Sequence, residues 1–273
     1  MWYNAGMNRD YMIALCQMTV TYCKDQNMAK AKQMVHEAAT EGARIVCLPE
    51  IWNAPYDVEL MQSYAETADG PSVKFMSEIA KENGIYLVGG SIPEIDGEKL
   101  YNTAFVFDPA GRCIARHRKV NLFDIDIEDG PSFKESDLFS AGEGATVFET
   151  EYGKIGLAIC YDVRFPQMFK EMADHGCNLI LLPASFTMTT GKAHWDVLLR
   201  SRALDNQIFF AACATARNPE LNYSSWGHSS VLTPWGDYSG GADEKEAIVY
   251  SVINPDYCNK IRREIPIGNV PAL

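Results

Sequence analysis

The stretch Gly42-Ala-Arg-Ile-Val-Cys-Leu-Pro49 has a second copy of the same pattern, Gly176-Cys-Asn-Leu-Ile-Leu-Leu-Pro183. Each copy consists of a glycine, two variable residues, three apolar residues, a leucine and a proline, and each closes a strand-helix-strand unit. A repeated α/β unit indicates two similar halves that bury their sheets against each other. We therefore predict an α/β fold, a four-layer αββα sandwich of two similar halves.

Apolar strands alternate with amphipathic helices around both copies. In the first half the pattern predicts strands over 12–18, 45–48, 85–89, 101–107 and 113–120, with helices that end at Gly42 and Gly84. In the second half it predicts a strand that ends at Cys160, helices over 166–175 and 191–207, and strands over 178–182, 208–214, 229–232 and 247–253. No linker or low-complexity segment divides the chain, so residues 1–273 are predicted to form a single domain.

The composition argues against several classes of partner. The 273 residues carry a formal net charge of −12, which disfavours nucleic acid and anionic membranes. The one basic run, Arg116-His-Arg-Lys119, is by itself typical of a solvated strand edge. No apolar stretch approaches the roughly 18 residues that span a bilayer, and residues 1–10 are too polar for a signal peptide. We expect a soluble, cytoplasmic protein.

The cysteines and histidines do not predict a metal site or a disulfide framework. The eight cysteines are scattered singly and several lie in apolar segments, which favours reduced, buried thiols. The sequence contains no C-x-x-C pair and no H-E-x-x-H motif. Gly89-Gly90-Ser91 is a glycine turn without a P-loop lysine, so a nucleotide is not expected either. We predict that the protein needs no metal and no cofactor.

Three polar residues stand where apolar strands end, the position at which open α/β folds carry their functional groups. Glu50 and Cys160 each follow a core strand of one half, and Lys119 closes a strand of the first half. Taken singly, the thiol could be an inert core residue, the carboxylate a solvated turn residue and the lysine a surface charge. Face-to-face packing would bring the strand ends together, so we interpret the three residues as one site.

The residues around these positions resemble the carbon-nitrogen hydrolase (nitrilase) superfamily over essentially the whole chain. The matching motifs are Leu48-Pro49-Glu50, His117-Arg118-Lys119-Val120 and Ile159-Cys160-Tyr161-Asp162-Val163-Arg164-Phe165-Pro166. Within the superfamily the chain is most similar to the omega-amidase branch, on Asn121-Leu-Phe-Asp-Ile-Asp126, Thr189-Thr-Gly-Lys-Ala-His-Trp195, Ser201-Arg-Ala-Leu-Asp-Asn-Gln207 and Ser225-Trp-Gly-His-Ser229. The resemblance implies a Glu-Lys-Cys triad and hydrolysis of the terminal amide of 2-oxoglutaramate and 2-oxosuccinamate.

The resemblance implies a role for each catalytic residue. Cys160 attacks the carboxamide carbon, with its thiolate favoured by the neighbouring lysine. Glu50 takes the thiol proton, passes a proton to the departing ammonia and then activates water against the thioester. Lys119 and the backbone N–H of Tyr161 hold the oxyanion. A second glutamate that many members carry matches Glu135, which is expected to orient Lys119 or the substrate amide.

The resemblance also implies a pocket for an acidic amide. Arg164 is the candidate partner of a distal carboxylate, because a guanidinium binds a carboxylate in a bidentate manner. The alternative for this residue is a structural ion pair with an acidic neighbour. The other substrate-binding residues implied are Tyr56, Phe123, Tyr161, Phe186 and Thr190. Omega-amidases commonly have Asn after the Phe, where this chain has Thr187, and this departure leaves the identity of the substrate open.

Two other functions remain at this point. The first is another amidase of the superfamily, acting on a deaminated glutathione or a carbamoyl compound, against which Phe123 and Arg164 argue. The second is a catalytically silent ligand-binding protein on the same fold, against which the intact triad argues. Family members pair protomers through helices that extend each sandwich, so a homodimer or larger homo-oligomer is implied beside the small-molecule amide substrate.

Overall fold

The computed structural model describes residues 10–128 and 132–267, in which helices cover the outer faces of two stacked sheets. The strands are β1 (Tyr11–Gln17), β2 (Ile45–Cys47), β3 (Tyr86–Asp96), β4 (Lys99–Phe107), β5 (Cys113–Arg118), β6 (Asp124–Asp126), β7 (Ser132–Lys134), β8 (Thr146–Thr150), β9 (Gly153–Leu157), β10 (Leu179–Ala184), β11 (Phe209–Ala214), β12 (Ser230–Leu232), β13 (Tyr238–Gly241) and β14 (Ala247–Ile253). The α-helices are α1 (Lys24–Thr40), α2 (Val58–Tyr64), α3 (Pro71–Asn83), α4 (Pro166–Asp174), α5 (Met188–Asn206) and α6 (Pro255–Glu264).

The two large sheets have equivalent plans. The first has the strand order β14-β1-β2-β3-β4-β5, and the second has the order β13-β12-β11-β10-β9-β8. The centre of each sheet is parallel, made by β1, β2 and β3 in one and by β9, β10 and β11 in the other. Antiparallel strands flank each parallel centre. The prediction of two similar α/β halves is confirmed.

One strand lies in a different sheet from the one predicted. We assigned residues 247–253 to the second half, but β14 pairs antiparallel with β1 of the first sheet, from Tyr11 opposite Ile253 to Gln17 opposite Ala247. Hydrophobic alternation identifies a strand but does not say which sheet edge it covers. Here the strand covers an edge of β1 that would otherwise present unpaired backbone groups.

The four layers follow from which face of each element is apolar. Buried side chains of the two facing sheets, including Ile13, Leu15, Leu179 and Leu181, form one continuous core. The opposite face of the first sheet packs against α1 and α3, whose buried residues recur at spacings of three and four. Helices α4 and α5 cover the second sheet in the same way. The αββα sandwich is therefore present, with the ends of its parallel strands at one edge.

Candidate active site

Glu50 lies in a turn after β2, and a bulge in β3 holds this turn in place. The register of β3 on β4 shifts at this point, and Ser91 makes three hydrogen bonds to the turn. Its N–H donates to Pro49 O at 3.2 Å, its carbonyl accepts from Trp52 N at 3.3 Å, and its Oγ accepts from Ile51 N at 3.0 Å. Gly90 has φ +61°, and a Cβ there would lie 2.1 Å from Pro49 O. Only glycine permits this approach, so the glycine turn seen in the sequence positions Glu50.

Lys119 follows β5 directly and joins two carboxylates. Its Nζ donates to Glu50 Oε1 at 2.9 Å and to Glu135 Oε2 at 2.8 Å. The Nδ2 of Asn102, in β4, donates to Glu50 Oε1 at 2.9 Å and to Glu135 Oε1 at 3.1 Å. The backbone N–H of Phe123 donates to Glu135 Oε2 at 2.6 Å. The three charged side chains are 0–1% exposed, so the structure brings the predicted charged residues together in a buried cluster.

Cys160 lies beside this cluster at the start of a single 3₁₀ turn, Cys160–Arg164. We predicted that it ends a strand, but β9 ends three residues earlier, at Leu157. The Cys160 backbone has φ +45°, a left-handed conformation that is costly for a residue with a Cβ. Such strain costs on the order of 1–3 kcal/mol and is typical of functional sites. The thiol donates to Ser185 O at 3.8 Å.

The buried charges shift the pKa values of the cluster. Burial raises the pKa of Glu50, and the Glu135 charge raises it further against the lowering effect of Lys119. Burial and the Glu50 charge together raise the pKa of the Cys160 thiol well above its usual value, although Lys119 lowers it. Burial alone would lower the pKa of Lys119, but the two carboxylates raise it well above its usual value. Lys119 thus favours the thiolate as expected, but burial and the Glu50 charge outweigh its effect, so a base is needed to remove the thiol proton.

A narrow cavity adjoins the thiol, and its lining includes most of the predicted pocket residues. Its lining residues are Phe123, Cys160, Tyr161, Arg164, Ser185, Phe186 and Thr190. Tyr56 lies on the other side of the cluster, where it lines a neighbouring cavity with Glu50 and Tyr223. Its ring lies 4.6 Å from that of Tyr223. The structure thus places five of the six predicted substrate-binding residues around one cavity and Tyr56 next to it.

Arg164 has no acidic partner in the part of the chain that the structure describes. No carboxylate oxygen there lies within 4.0 Å of its guanidinium. The guanidinium lies over the rings of Tyr161 and Phe186, at 5.4 and 5.8 Å from their centroids, and 3.2 Å from Nδ1 of His194. The alternative of a structural ion pair is therefore not supported for Arg164.

Several polar atoms of the site are buried without a hydrogen-bond partner. They include Oε2 of Glu50, the hydroxyl of Tyr56 and Nε of Arg164. A buried polar atom without a partner costs about 1–3 kcal/mol, so such atoms are rare in folded proteins. Glu50 and Tyr56 line one of the two cavities beside the cluster, and Arg164 lines the other, so the three atoms all belong to the site.

Sequence reasoning did not identify Asn102, Ser185 or Tyr223 as residues of the site. Asn102 bridges the two carboxylates, and Tyr223 donates its hydroxyl hydrogen to Ser185 O at 2.5 Å. The carbonyl of Ser185 therefore accepts from both a tyrosine and the Cys160 thiol. The one available signal was Asn102 itself, because asparagine is depleted inside strands and this one lies within β4.

The described residues contain no group of three or more His, Cys, Asp or Glu side chains arranged to hold a metal ion. Within the same residues, no helix combines the length and the apolar character needed to cross a membrane.

The fold and the buried Glu-Lys-Cys cluster agree with a comparison against known families. Residues 12–263 match the family model of the carbon-nitrogen hydrolases. The chain belongs to this family, and it is a carbon-nitrogen hydrolase of the nitrilase superfamily.

Individual relatives place the chain more finely. It is 46% identical to human "Omega-amidase NIT2" over 257 residues, which cover 94% of this chain and 93% of that protein. The crystal structure of Saccharomyces cerevisiae Nit3, a member of branch 10 of the nitrilase superfamily, superimposes with a TM-score of 0.88 at 36% identity and covers 95% of this chain and 96% of that one. An amidase of Nesterenkonia sp. AN1, with acrylamide added at its active-site cysteine, gives a TM-score of 0.78 at 27% identity, with coverage of 94% and 98%.

Proposed function

We propose that this enzyme is an omega-amidase, which hydrolyses the terminal carboxamide of 2-oxo dicarboxylic acid monoamides, 2-oxoglutaramate and 2-oxosuccinamate, to the 2-oxo acid and ammonia. The observation that carries the proposal is the buried contact of Lys119 with Glu50 and Glu135 beside the Cys160 thiol. A guanidinium without a carboxylate partner, that of Arg164, borders the same cavity. The cluster and the thiol provide the groups that amide hydrolysis needs, and the guanidinium favours a substrate that carries a carboxylate.

The first half of the reaction forms a thioester. Glu50 accepts the thiol proton as the sulfur of Cys160 attacks the carboxamide carbon, which gives a tetrahedral intermediate with a negative oxygen. The Lys119 ammonium and the Tyr161 N–H stabilise this oxygen, a contribution of about 3–4 kcal/mol per donor in other enzymes. Protonated Glu50 then gives its proton to the nitrogen, the C–N bond breaks and ammonia leaves. The raised pKa of Glu50 suits a group that both accepts and donates this proton.

The second half regenerates the thiol. Glu50 removes a proton from water, the hydroxide adds to the thioester carbon, and Lys119 again stabilises the oxyanion. Collapse of the intermediate breaks the C–S bond, and the sulfur of Cys160 recovers a proton from Glu50. Glu135 keeps Lys119 in position throughout, because its Oε2 accepts a hydrogen bond from the Nζ at 2.8 Å.

The lining of the cavity supports a small acidic substrate. Phe123 and Phe186 enclose it, while Arg164 and Thr190 supply polar groups. A deaminated glutathione is much larger than a five-carbon monoamide, so this lining favours the omega-amidase over the larger-substrate alternative.

A substrate panel tests the proposal. Ammonia release should be much faster from 2-oxoglutaramate than from butyramide, which lacks the distal carboxylate, or from a deaminated glutathione. The variant Arg164→Met should lower kcat/KM for 2-oxoglutaramate by about 10- to 100-fold, the loss of a charged hydrogen-bonded pair, and leave butyramide turnover within a few-fold. Equal losses on both amides would contradict the role of Arg164, and faster release from the deaminated glutathione would refute the omega-amidase.

We also propose that the enzyme is a homodimer that pairs through α5. Val197 and Leu204 lie two turns apart on this outer helix and are 62% and 47% exposed, so they form an apolar stripe suited to a second copy. Light scattering during size-exclusion chromatography should give the dimer mass, and Val197→Glu should reduce it to the monomer mass. A monomeric wild-type protein would overturn this part of the proposal.

We propose a cytoplasmic location for the enzyme. All eight cysteines are free thiols, two of them exposed, and such thiols persist in a reducing compartment. Fractionation of the source cells should recover the protein with a cytosolic marker, and recovery with secreted proteins would refute this location.

A further inference from the structure

Asp162 lies two residues after Cys160 and is fully buried, yet no step of amide hydrolysis uses it. Its Oδ1 accepts from the backbone N–H and from Nδ2 of Asn121, at 2.8 and 2.9 Å. Its Oδ2 accepts from the backbone N–H of Ile159 at 3.0 Å and lies 3.1 Å from Nε2 of His117. Despite its burial, these hydrogen bonds keep the pKa of this carboxyl below its usual range, so the group is ionised.

The partners of Asp162 flank the two central catalytic residues. His117 and Asn121 lie two positions before and two positions after Lys119, at the end of β5 in the first sheet. Ile159 directly precedes Cys160, after β9 of the second sheet. One carboxylate therefore connects the segment that carries the lysine with the segment that carries the thiol.

Both segments need an anchor of this kind. The backbone of Cys160 is held at φ +45°, and strained residues persist only where the surrounding structure over-determines them. Lys119 and Cys160 come from different sheets, so no shared secondary structure sets the distance between the ammonium and the sulfur. Catalytic groups must be held within about 0.5 Å of their productive geometry.

We propose that Asp162 is a positioning residue that fixes the Cys160 turn against the Lys119 segment. It touches no reacting atom, and its effect passes through the backbone at Ile159 and Asn121. The inference rests on the proposed roles of Cys160 and Lys119 in amide hydrolysis.

The variant Asp162→Asn tests the role with almost no change in volume. An ionised carboxylate only accepts hydrogen bonds, whereas asparagine presents one oxygen and one NH₂ group. Each carboxylate oxygen faces one backbone N–H, from Asn121 or from Ile159. Whichever way the amide is turned, its NH₂ therefore faces a backbone donor, and one of the two anchors is lost.

Asp108→Asn is the matched control. Asp108 is also buried, and its Oδ1 accepts from the backbone N–H groups of Ala110 and Arg112, both at 2.9 Å. Its Oδ2 accepts from Nε of Arg112 at 2.7 Å. The residue braces the turn between β4 and β5 and contacts none of the catalytic residues. The same chemical change can thus be compared at a turn outside the site.

The measurements are kcat and KM for 2-oxoglutaramate, thermal stability, and the pH dependence of Cys160 alkylation by iodoacetamide, followed by peptide mass spectrometry. Asp162→Asn should lower kcat by about 100-fold, the cost of a displacement near 1 Å, with KM changed less than about threefold. The apparent pKa of Cys160 alkylation should differ from that of the wild type, since a displaced sulfur changes its distances from the Glu50 carboxylate and the Lys119 ammonium. Asp108→Asn should change neither kcat nor the apparent pKa of Cys160 alkylation.

Two outcomes would overturn the inference. One is a kcat for Asp162→Asn within about twofold of wild type, and the other is equal loss of kcat in both variants at equal loss of stability. If Asp162→Asn does not fold, Asn121→Ala replaces it, because this variant removes one side-chain donor and keeps the backbone N–H. It should lower kcat by a larger factor than it raises KM, and an unchanged kcat would refute the role. The alkylation profile reports on the thiol even if 2-oxoglutaramate is not the substrate.

Discussion

Replacing Lys119 by methionine would leave two buried carboxylates without their cation. The Nζ contacts Glu50 at 2.9 Å and Glu135 at 2.8 Å, and all three side chains are excluded from solvent. Removal of one partner of a buried ion pair typically costs about 3–5 kcal/mol, because an uncompensated charge stays in a medium of low polarity. Methionine fills a similar volume, so packing contributes little to this loss. We expect Lys119→Met to lower the free energy of unfolding by about 3–5 kcal/mol at pH 8.

The loss of stability in Lys119→Met should be larger at high pH than at low pH. Burial and the Glu135 charge already raise the pKa of Glu50, and Lys119 is the group that opposes them. Without the lysine the folded-state pKa of Glu50 rises further above its unfolded value, so stability is lost as pH rises above the unfolded pKa and is regained as pH falls. Each further unit of pKa rise changes the destabilisation by about 1.4 kcal/mol. The difference between wild type and variant should therefore be smaller at pH 5 than at pH 8.

Urea denaturation at both pH values measures this difference. Glu50→Gln in the Lys119→Met background removes one of the two charges and should restore part of the stability at pH 8. Lys170→Met is the control, because Lys170 pairs with Asp174 on the exposed surface of α4 and should leave stability unchanged. An equal destabilisation at pH 5 and pH 8, with no rescue by Glu50→Gln, would refute the view that the carboxylates are ionised around the lysine.

Three further predictions concern the thiol and its base. Cys160→Ala should abolish ammonia release while the circular dichroism spectrum stays that of the wild type, and residual turnover would refute the nucleophile. Cys160→Gly should be more stable to urea than Cys160→Ala by about 1 kcal/mol, since glycine relieves the left-handed backbone; at Cys213, inside β11, the order should reverse. The kcat/KM for 2-oxoglutaramate should fall with decreasing pH through an apparent pKa above that of an ordinary glutamate, because Glu50 must be ionised to accept the thiol proton. A flat profile down to pH 4 in a folded enzyme would contradict this assignment.

The layered fold was predictable because its signals are local. Apolar runs, glycine helix ends and the repeated Gly-to-Pro pattern each depend on neighbouring residues, and they correctly predicted two similar α/β halves. The partner of a strand is a non-local property, and for this reason β14 was placed in the wrong half. The small sheet of β6 and β7 and the short strand β13 carry too few residues for a clear alternation.

For the charged residues of the site, too, local patterns were predictable from the sequence and non-local packing was not. Lys119 belongs to a basic run that is typical of a solvated edge. Alternation along the chain places successive members of this run on opposite faces of the sheet. Arg116 and Arg118 point to Glu94, whereas His117 and Lys119 are buried. The period of two was available from the sequence, but the face that becomes buried depends on the packing of the second sheet. The position of Lys119 at a strand end made it a candidate for the site, and the resemblance to a family assigned its role.

The pairing of β14 with β1 has a consequence during synthesis of the chain. Tyr11 leaves the ribosome long before its partner Ile253, which follows only after the intervening chain has been made. Until then β1 keeps an exposed, apolar edge that can pair with another nascent chain. A high contact order of this kind slows folding, since the loop must close before the strand contributes stability. Translation of the first sheet thus begins before that of the second and ends after it.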